Sequence, residues 1–106
     1  MRLFNIKDFA NGWFIGDFEP TLLKTDIFEV AHHKYSKGYV GEPHVHRIAK
    51  EFNYIVAGRV RVGGSELKDG DGFIFSQNEY EKVEFLEDTD LIIIKSPSVK
   101  GDKWTV

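Results

Sequence analysis

All four histidines of the 106-residue chain fall between positions 32 and 46. His44 and His46 are two residues apart, so on an extended backbone their imidazoles point to the same face. Their Cα atoms then lie roughly 6.5–7 Å apart, close enough for two ring nitrogens to converge on one ion. Glu51 follows at the head of the β-forming run 52–56. A turn over 47–50 that folds this run back brings the Glu51 carboxylate to the same interior. Two imidazoles and one carboxylate on one side of a site suit Fe(II), and also Mn, Ni, Cu or Zn. By itself a His-x-His pair is more often two hydrogen-bonded strand residues, and it is the carboxylate on the same side that argues for a metal site.

Other residues bear on the same interior. Around the His32-His33 pair, Phe28, Val30 and His32 alternate with Glu29, Ala31, His33 and Tyr35, so one of the two imidazoles faces inward. A hydrogen-bonded core histidine is its plainer role, and a pocket acid or base near neutral pH the functional one. Counting from Glu51, Asn53, Ile55 and Ala57 share its face, which makes Asn53 the polar neighbour expected inside. Phe73, Phe75, Val83 and Phe85 read as pocket wall or core. Arg59 and Arg61 alternate with Val60 and Val62, a solvated strand face before a grip on an anionic substrate. The chain has no G-x-S-x-G elbow, no phosphate-cradling G-x-x-x-x-G-K and no G-x-G-x-x-G.

The elements that must position these groups read as nearly all β. Strands are expected at residues 2–6, 13–18, 26–35, 44–47, 51–56, 59–62, 72–75, 81–85 and 91–95. They are separated by turn residues such as Asn11-Gly12, Gly63-Gly64 and Asp69-Gly70-Asp71-Gly72. No window of a dozen residues carries a clean helical period. Many short strands around one core mean a sandwich or a closed barrel, here a single domain over 1–106. With 42% apolar and 14% aromatic residues the chain is not disordered. Fourteen basic against seventeen acidic side chains, a net charge of −3, exclude a basic nucleic-acid surface. No cysteine is present to supply a disulfide, a thiolate ligand or a nucleophile. The first sixteen residues show neither a signal peptide nor a membrane anchor, so cytoplasmic residence is expected. Trp104 and Val106 at the end of the polar tail are expected to pack on a sheet or on a second subunit.

Gly38, five residues, His44-Val45-His46, four residues, Glu51, six residues and Gly58 together fit the first sequence motif of the cupin superfamily, which the chain therefore resembles. The resemblance spans about residues 26 to 96. It implies a double-stranded β-helix, a jelly roll of six to eight strands, in which His44, His46 and Glu51 hold a metal inside the barrel. The second cupin motif is half present. Gly70-Asp71 opens it and 73–75 is a good strand, but Ser76 stands at the proline position and Glu81 at the histidine position. Glu81 then either supplies a fourth, oxygen ligand or is one more solvated acid among Glu79, Glu84, Glu87, Asp88 and Asp90. A donor set rich in oxygen favours Mn(II), Fe(II) or Zn(II) over Cu.

Three functions follow. The first is a metal-dependent enzyme acting on a small molecule by dioxygenase, isomerase or lyase chemistry. In it a divalent ion (Fe, Mn, Zn or Ni) sits on His44, His46, Glu51 and Glu81, His44 and His46 carry the catalysis, and His33, Asn53, Phe75 and Phe85 line the pocket. The second is a metal-free sugar-nucleotide isomerase or epimerase in which His44 or His46 moves a proton. The third is a non-enzymatic module that binds a small ligand or assembles with a partner. A homodimer is expected; nucleic acid and membrane are not expected as partners.

Overall fold

A computed structural model describes all 106 residues. Ten strands follow in chain order: β1 (Trp13–Ile15), β2 (Glu29–Tyr35), β3 (His44–Val45), β4 (Lys50–Ala57), β5 (Arg59–Val62), β6 (Ser65–Lys68), β7 (Gly72–Phe75), β8 (Val83–Phe85), β9 (Thr89–Ser96) and β10 (Trp104–Thr105). They form a five-stranded sheet of order β1-β2-β9-β4-β7, a three-stranded sheet β6-β5-β8 and a two-stranded ribbon β10-β3, and all their pairings are antiparallel. Two facing sheets of this kind make the all-β, double-stranded β-helix architecture. No helix is long and apolar enough to cross a membrane.

Alternation fixes what enters the interior. The large sheet turns inward Glu29, Ala31, His33 and Tyr35 from β2, Leu91, Ile93 and Lys95 from β9, and Glu51, Asn53 and Ile55 from β4. Register stacks these in layers. Ile55 lies opposite Leu91, Asn53 opposite Ile93, and Lys95 is flanked by Glu51 on one side and Glu29 on the other. The opposing sheet closes one end with Val60 and Phe85, which join Ile55, Leu91 and Ile93 in the buried core. Between β4 and β5 the chain reverses at Gly58, whose φ of 122° and tight approach to Thr89 leave no room for a side chain.

The strand expected at residues 2–6 does not form. Asn5 accepts the Lys7 N–H and Asp8 accepts the Asn5 N–H, a reciprocal capping pair that starts a 3₁₀ turn at Ile6–Asp8. Leu3 and Phe4 remain largely exposed. Two strands were not expected. In β6 only Leu67 carries an apolar signal, between Glu66 and Lys68, yet Ser65–Lys68 completes a hairpin with β5. The ribbon strand β10 is two residues long and pairs Trp104 with Val45 and Thr105 with His44. Arg59 and Arg61 face solvent, within ion pairs to Glu66, Glu84 and Glu87.

Candidate metal centre and its cavity

The turn between β3 and β4 sets the geometry. His44 and His46 leave the ribbon with ring centroids 5.1 Å apart. Their candidate ligand atoms, with a carboxylate oxygen of Glu51, all lie within 4.8 Å of one another. Both rings are oriented through the nitrogen away from this point. His44 Nδ1–H donates to the Glu42 carbonyl at 2.8 Å, and His46 Nδ1–H donates to the Asp102 carbonyl. Each bond leaves Nε2 as the free acceptor, the tautomer a metal needs. Glu51 is steadied by Asn53, whose side-chain amide donates to Oε2 at 3.1 Å.

The donors fit a divalent ion on a specific observation. His46 Nε2 is buried and has no hydrogen-bond partner; Glu51 Oε1 lies 3.3 Å away but out of hydrogen-bonding line. An orphaned buried nitrogen beside a carboxylate oxygen is what a shared cation satisfies. The Glu51 carboxylate beside it, working against burial and helped by the Asp102 carbonyl, raises the pKa of His46 above the usual histidine value. Burial favours the neutral form of Glu51, but His46, Asn53 and Lys95 overcome it and hold its carboxyl below the ordinary range. The group is therefore a carboxylate, ready to ligate.

Asp102 holds the turn together from the far end of the chain. Its carboxylate accepts the backbone N–H groups of Arg47 (2.9 Å), Ile48 (3.1 Å) and Ala49 (2.8 Å), and the Trp104 indole N–H at 3.3 Å. Burial opposes its charge, yet these donors outweigh it and keep its carboxyl below the usual aspartate range. The Arg47 guanidinium lies 3.8 Å over the Trp104 ring, locking the ribbon to the same turn, while Val106 stays exposed. The loop after β7 adds two ties: Asn78 N–H donates to the His46 carbonyl at 2.8 Å and Gln77 to that of Ile48 at 3.2 Å. Nothing in the sequence pattern marks Asp102, because its partners are backbone groups fifty-odd residues away.

Glu81 does not join the cluster. It precedes β8 on the exposed rim, with its carboxylate against the Gly63 turn, where a methyl group would lie 2.9 Å from Oε2. The half-matched second motif explains this: Ser76 begins a turn in which its N–H donates to Glu79 Oε1 at 2.9 Å, and the chain joins the opposing sheet only at Val83, past residue 81. The three groups brought together are His44, His46 and Glu51.

They open onto a cavity of about 320 Å³. Asn53, His33, Phe75 and Phe85 line it, as do Trp13, Tyr35, Tyr39, Phe73 and Lys95. His33 is caged by Trp13 and Tyr35, at ring centroids of 5.6 and 5.8 Å. The Tyr35 hydroxyl sits 3.0 Å from His33 Nδ1. Burial, with the charges of Tyr39 and Glu51, pushes the Tyr35 phenol up to about 12, so this group keeps its proton and donates it to Nδ1. Burial also lowers His33 below the usual 6.5, only partly offset by the nearby Asn11 carbonyl. His33 is thus neutral in the folded chain at neutral pH. His32, on the outer face, lies 3.8 Å from Asp90.

No protein-family model matches the sequence, and no curated protein does. Solved structures do. KdgF from a Halomonas species is 28% identical, with 72% of this chain and 74% of that one covered and a TM-score of 0.64. An RmlC-like cupin from Shewanella frigidimarina is 26% identical, covering 73% and 71% with a TM-score of 0.62. The DMSP lyase DddQ from Ruegeria pomeroyi superposes at a TM-score of 0.73 over 89% of this chain but 49% of its own length, at 15% identity, a likeness of fold alone. With its two facing sheets and these neighbours, the chain has the fold of a small cupin domain, and it brings His44, His46 and Glu51 together inside it.

Proposed function

We propose that this cupin-fold protein is a metal-dependent enzyme that binds a divalent ion through His44, His46 and Glu51 and acts on a small molecule in the cavity they open onto. The observation that carries the reading is the pair of Nδ1–H bonds, His44 to Glu42 and His46 to Asp102, which turn both free ring nitrogens toward one carboxylate. When bound, the ion supplies Lewis acidity toward a substrate oxygen or water at positions the protein leaves open. Two imidazoles and one carboxylate suit Fe(II), Mn(II), Ni(II) or Zn(II). The chain's own part is to hold these ligands in one tautomer and one orientation, with Asn53 fixing Glu51. Phe73, Phe75 and Phe85 keep bulk water off the substrate's body. Dioxygenase, isomerase and lyase chemistry are all compatible with such a site.

A metal-free sugar-nucleotide isomerase is less well supported. The cavity offers no arginine to a diphosphate, since Arg59 and Arg61 are engaged outside it. A module that only assembles with a partner would have its interior filled by its own side chains, whereas here the space beside His46 stands open. A non-enzymatic module that binds a small ligand shares this cavity and is told apart by the absence of turnover in the metal-loaded protein. A homodimer is part of the proposed reading, and light scattering after size-exclusion chromatography tests it, a monomer overturning it. The central test is elemental analysis of the purified protein beside the His44→Ala/His46→Ala double variant. Near-stoichiometric transition metal is expected in the first and background in the second; equal content in both overturns the reading.

A further inference from the structure

Lys95 is the cavity residue that the metal cluster does not explain. Register on the inner face of the large sheet places it directly between Glu51 on β4 and Glu29 on β2, with Phe75 beyond Glu51. Its side chain is only 17% exposed and reaches the cavity. The ammonium lies 4.9 Å from the Trp13 ring centroid. The carboxylate oxygen paired with it, Glu29 Oε2, is 3.7 Å away, beyond a direct hydrogen bond. A largely desolvated ammonium has three donors to place, and leaving them unmet is costly.

The charge balance indicates what meets them. Without an ion, Glu29 and Glu51 both compensate Lys95, whose field acts on Glu51, His46 and His33 alike. A divalent cation on His44, His46 and Glu51 draws the Glu51 charge to itself. The interior then holds the cation and Lys95 against two carboxylates, one net positive charge in a space walled by aromatic rings. The acids at the mouth, Glu42, Glu79 and Glu81, are exposed, so solvent screens them. One residual positive charge in a small, apolar-walled cavity selects a compact monoanion with an apolar body.

We infer that Lys95 is a substrate-anchoring residue and that the cavity takes a small monocarboxylate, its carboxylate held between Lys95 and the His44–His46–Glu51 cluster and its apolar body against Phe73, Phe75 and Phe85. This names the substrate class of the site proposed above and rests on that reading, because the residual positive charge exists only with the ion bound; Lys95 is the contact through which the charge is read. It assigns Lys95 to specificity, through a contact that a neutral analogue of the same shape does not make.

Benzoate and benzamide have nearly the same shape and differ in charge. Their affinities, measured by calorimetry on the zinc-loaded protein, on metal-free protein and on Lys95→Met, test the inference. Benzoate binding the wild type at least tenfold more tightly than benzamide is expected, since a hydrogen bond to a charged group contributes on the order of 10- to 100-fold. That preference disappears in Lys95→Met while its metal content stays at the wild-type level. Because Lys95→Met leaves Glu29 buried without a counter-charge, the Glu29→Gln/Lys95→Met variant removes both charges and is expected to lose the preference in the same way. Equal affinities for the two probes in the wild type, absence of benzoate binding, or undiminished preference in both variants would each overturn the anchor. If the protein takes up no metal, the proposed metal function fails and the inference with it; if the zinc-loaded protein shows no Lys95-dependent preference, the anchor alone is overturned and the metal site stands.

Discussion

The two ends of the barrel interior are built on the same strands and do opposite work. At one end Ile55 and Leu91 face each other across β4 and β9, both at most 2% exposed, and pack with Val60 and Phe85 into an apolar cluster whose Leu91 and Phe85 form the floor of the cavity. Four residues along each of those strands, at Glu51 and Lys95, the same inner face carries charge, and with His46 it forms a polar wall around open space. Burial stabilises the first end. At the second it is a cost, offset by Asn53, by the His46–Glu51 contact and by the backbone donors that Asp102 gathers. The division puts stability where packing is complete and binding where it is not, so damage to one end is expected to leave the other working.

The largest effect comes at the polar end. Each single change, His44→Ala or His46→Ala, removes an imidazole from a three-ligand set, and metal retention after dialysis is expected to fall to background. Chemical denaturation of the metal-free proteins should meanwhile give His44→Ala, whose residue is partly exposed, an unfolding free energy within about 0.5 kcal/mol of the wild type. At the packed end Leu91→Ala is expected to lower stability by about 3 kcal/mol through lost contacts and a cavity that the surrounding strands only partly fill. Its metal content per folded molecule should not change. If Leu91→Ala lost the metal as readily as it lost stability, the two ends would be one cooperative unit and the comparison would fail.

Much of the polar end was legible in the sequence because its ligands are local. His44, His46 and Glu51 lie within eight residues and one turn, and alternation from Glu51 places Asn53. The fold was legible for the same reason: short apolar strands punctuated by glycine and aspartate read as a closed β architecture. What stayed hidden is non-local or weakly patterned. Lys95 shares an inward face with Leu91 and Ile93, but the unbroken run Leu91–Ile94 masks the alternation that would reveal it. Asp102 belongs to a polar tail whose order comes from Trp104 on Arg47 and from amides near His46. At residues 2–6 apolar content suggested a strand, whereas the short-range Asn5–Asp8 capping pair decided the backbone. Glu81 could be counted into a motif, but whether its carboxylate reached the site depended on the path of the loop after β7.

Asp102 sharpens the comparison by acting on the polar end from outside it. In Asp102→Asn one oxygen and the negative charge are lost while the backbone carbonyl that orients His46 remains. Three amides then share a weaker acceptor, and the turn carrying the ligands loosens. A metal affinity weakened 10- to 100-fold is expected, the usual consequence of removing support behind a ligand. Competition with a coloured chelator measures this. Amide hydrogen exchange at Arg47, Ile48 and Ala49 should quicken, while exchange at Ile55 and Leu91 stays slow. Uniform acceleration across all five positions would instead mean that Asp102 stabilises the whole barrel.

The smallest effect concerns the border between the two ends, where His33 sits in its aromatic cage. Its pKa is lowered in the folded chain, chiefly by burial, while in the unfolded chain it titrates near 6.5. The unfolded state therefore binds a proton that the folded state does not, and stability falls as pH drops from above about 6.5 toward the folded value. His46 contributes the opposite slope in the metal-free protein, because Glu51 raises its pKa and its share of stability is lost as pH rises. The two overlap in the wild type, and a difference separates them. His33→Phe keeps the ring against Trp13 and leaves the His46 contribution in place. The metal-free variant, followed by urea denaturation between about pH 7.5 and 5, is expected to lose less stability on acidification than the wild type. Parallel curves would place the His33 proton in solvent contact, and with it the boundary of the packed end one layer further from the metal cluster.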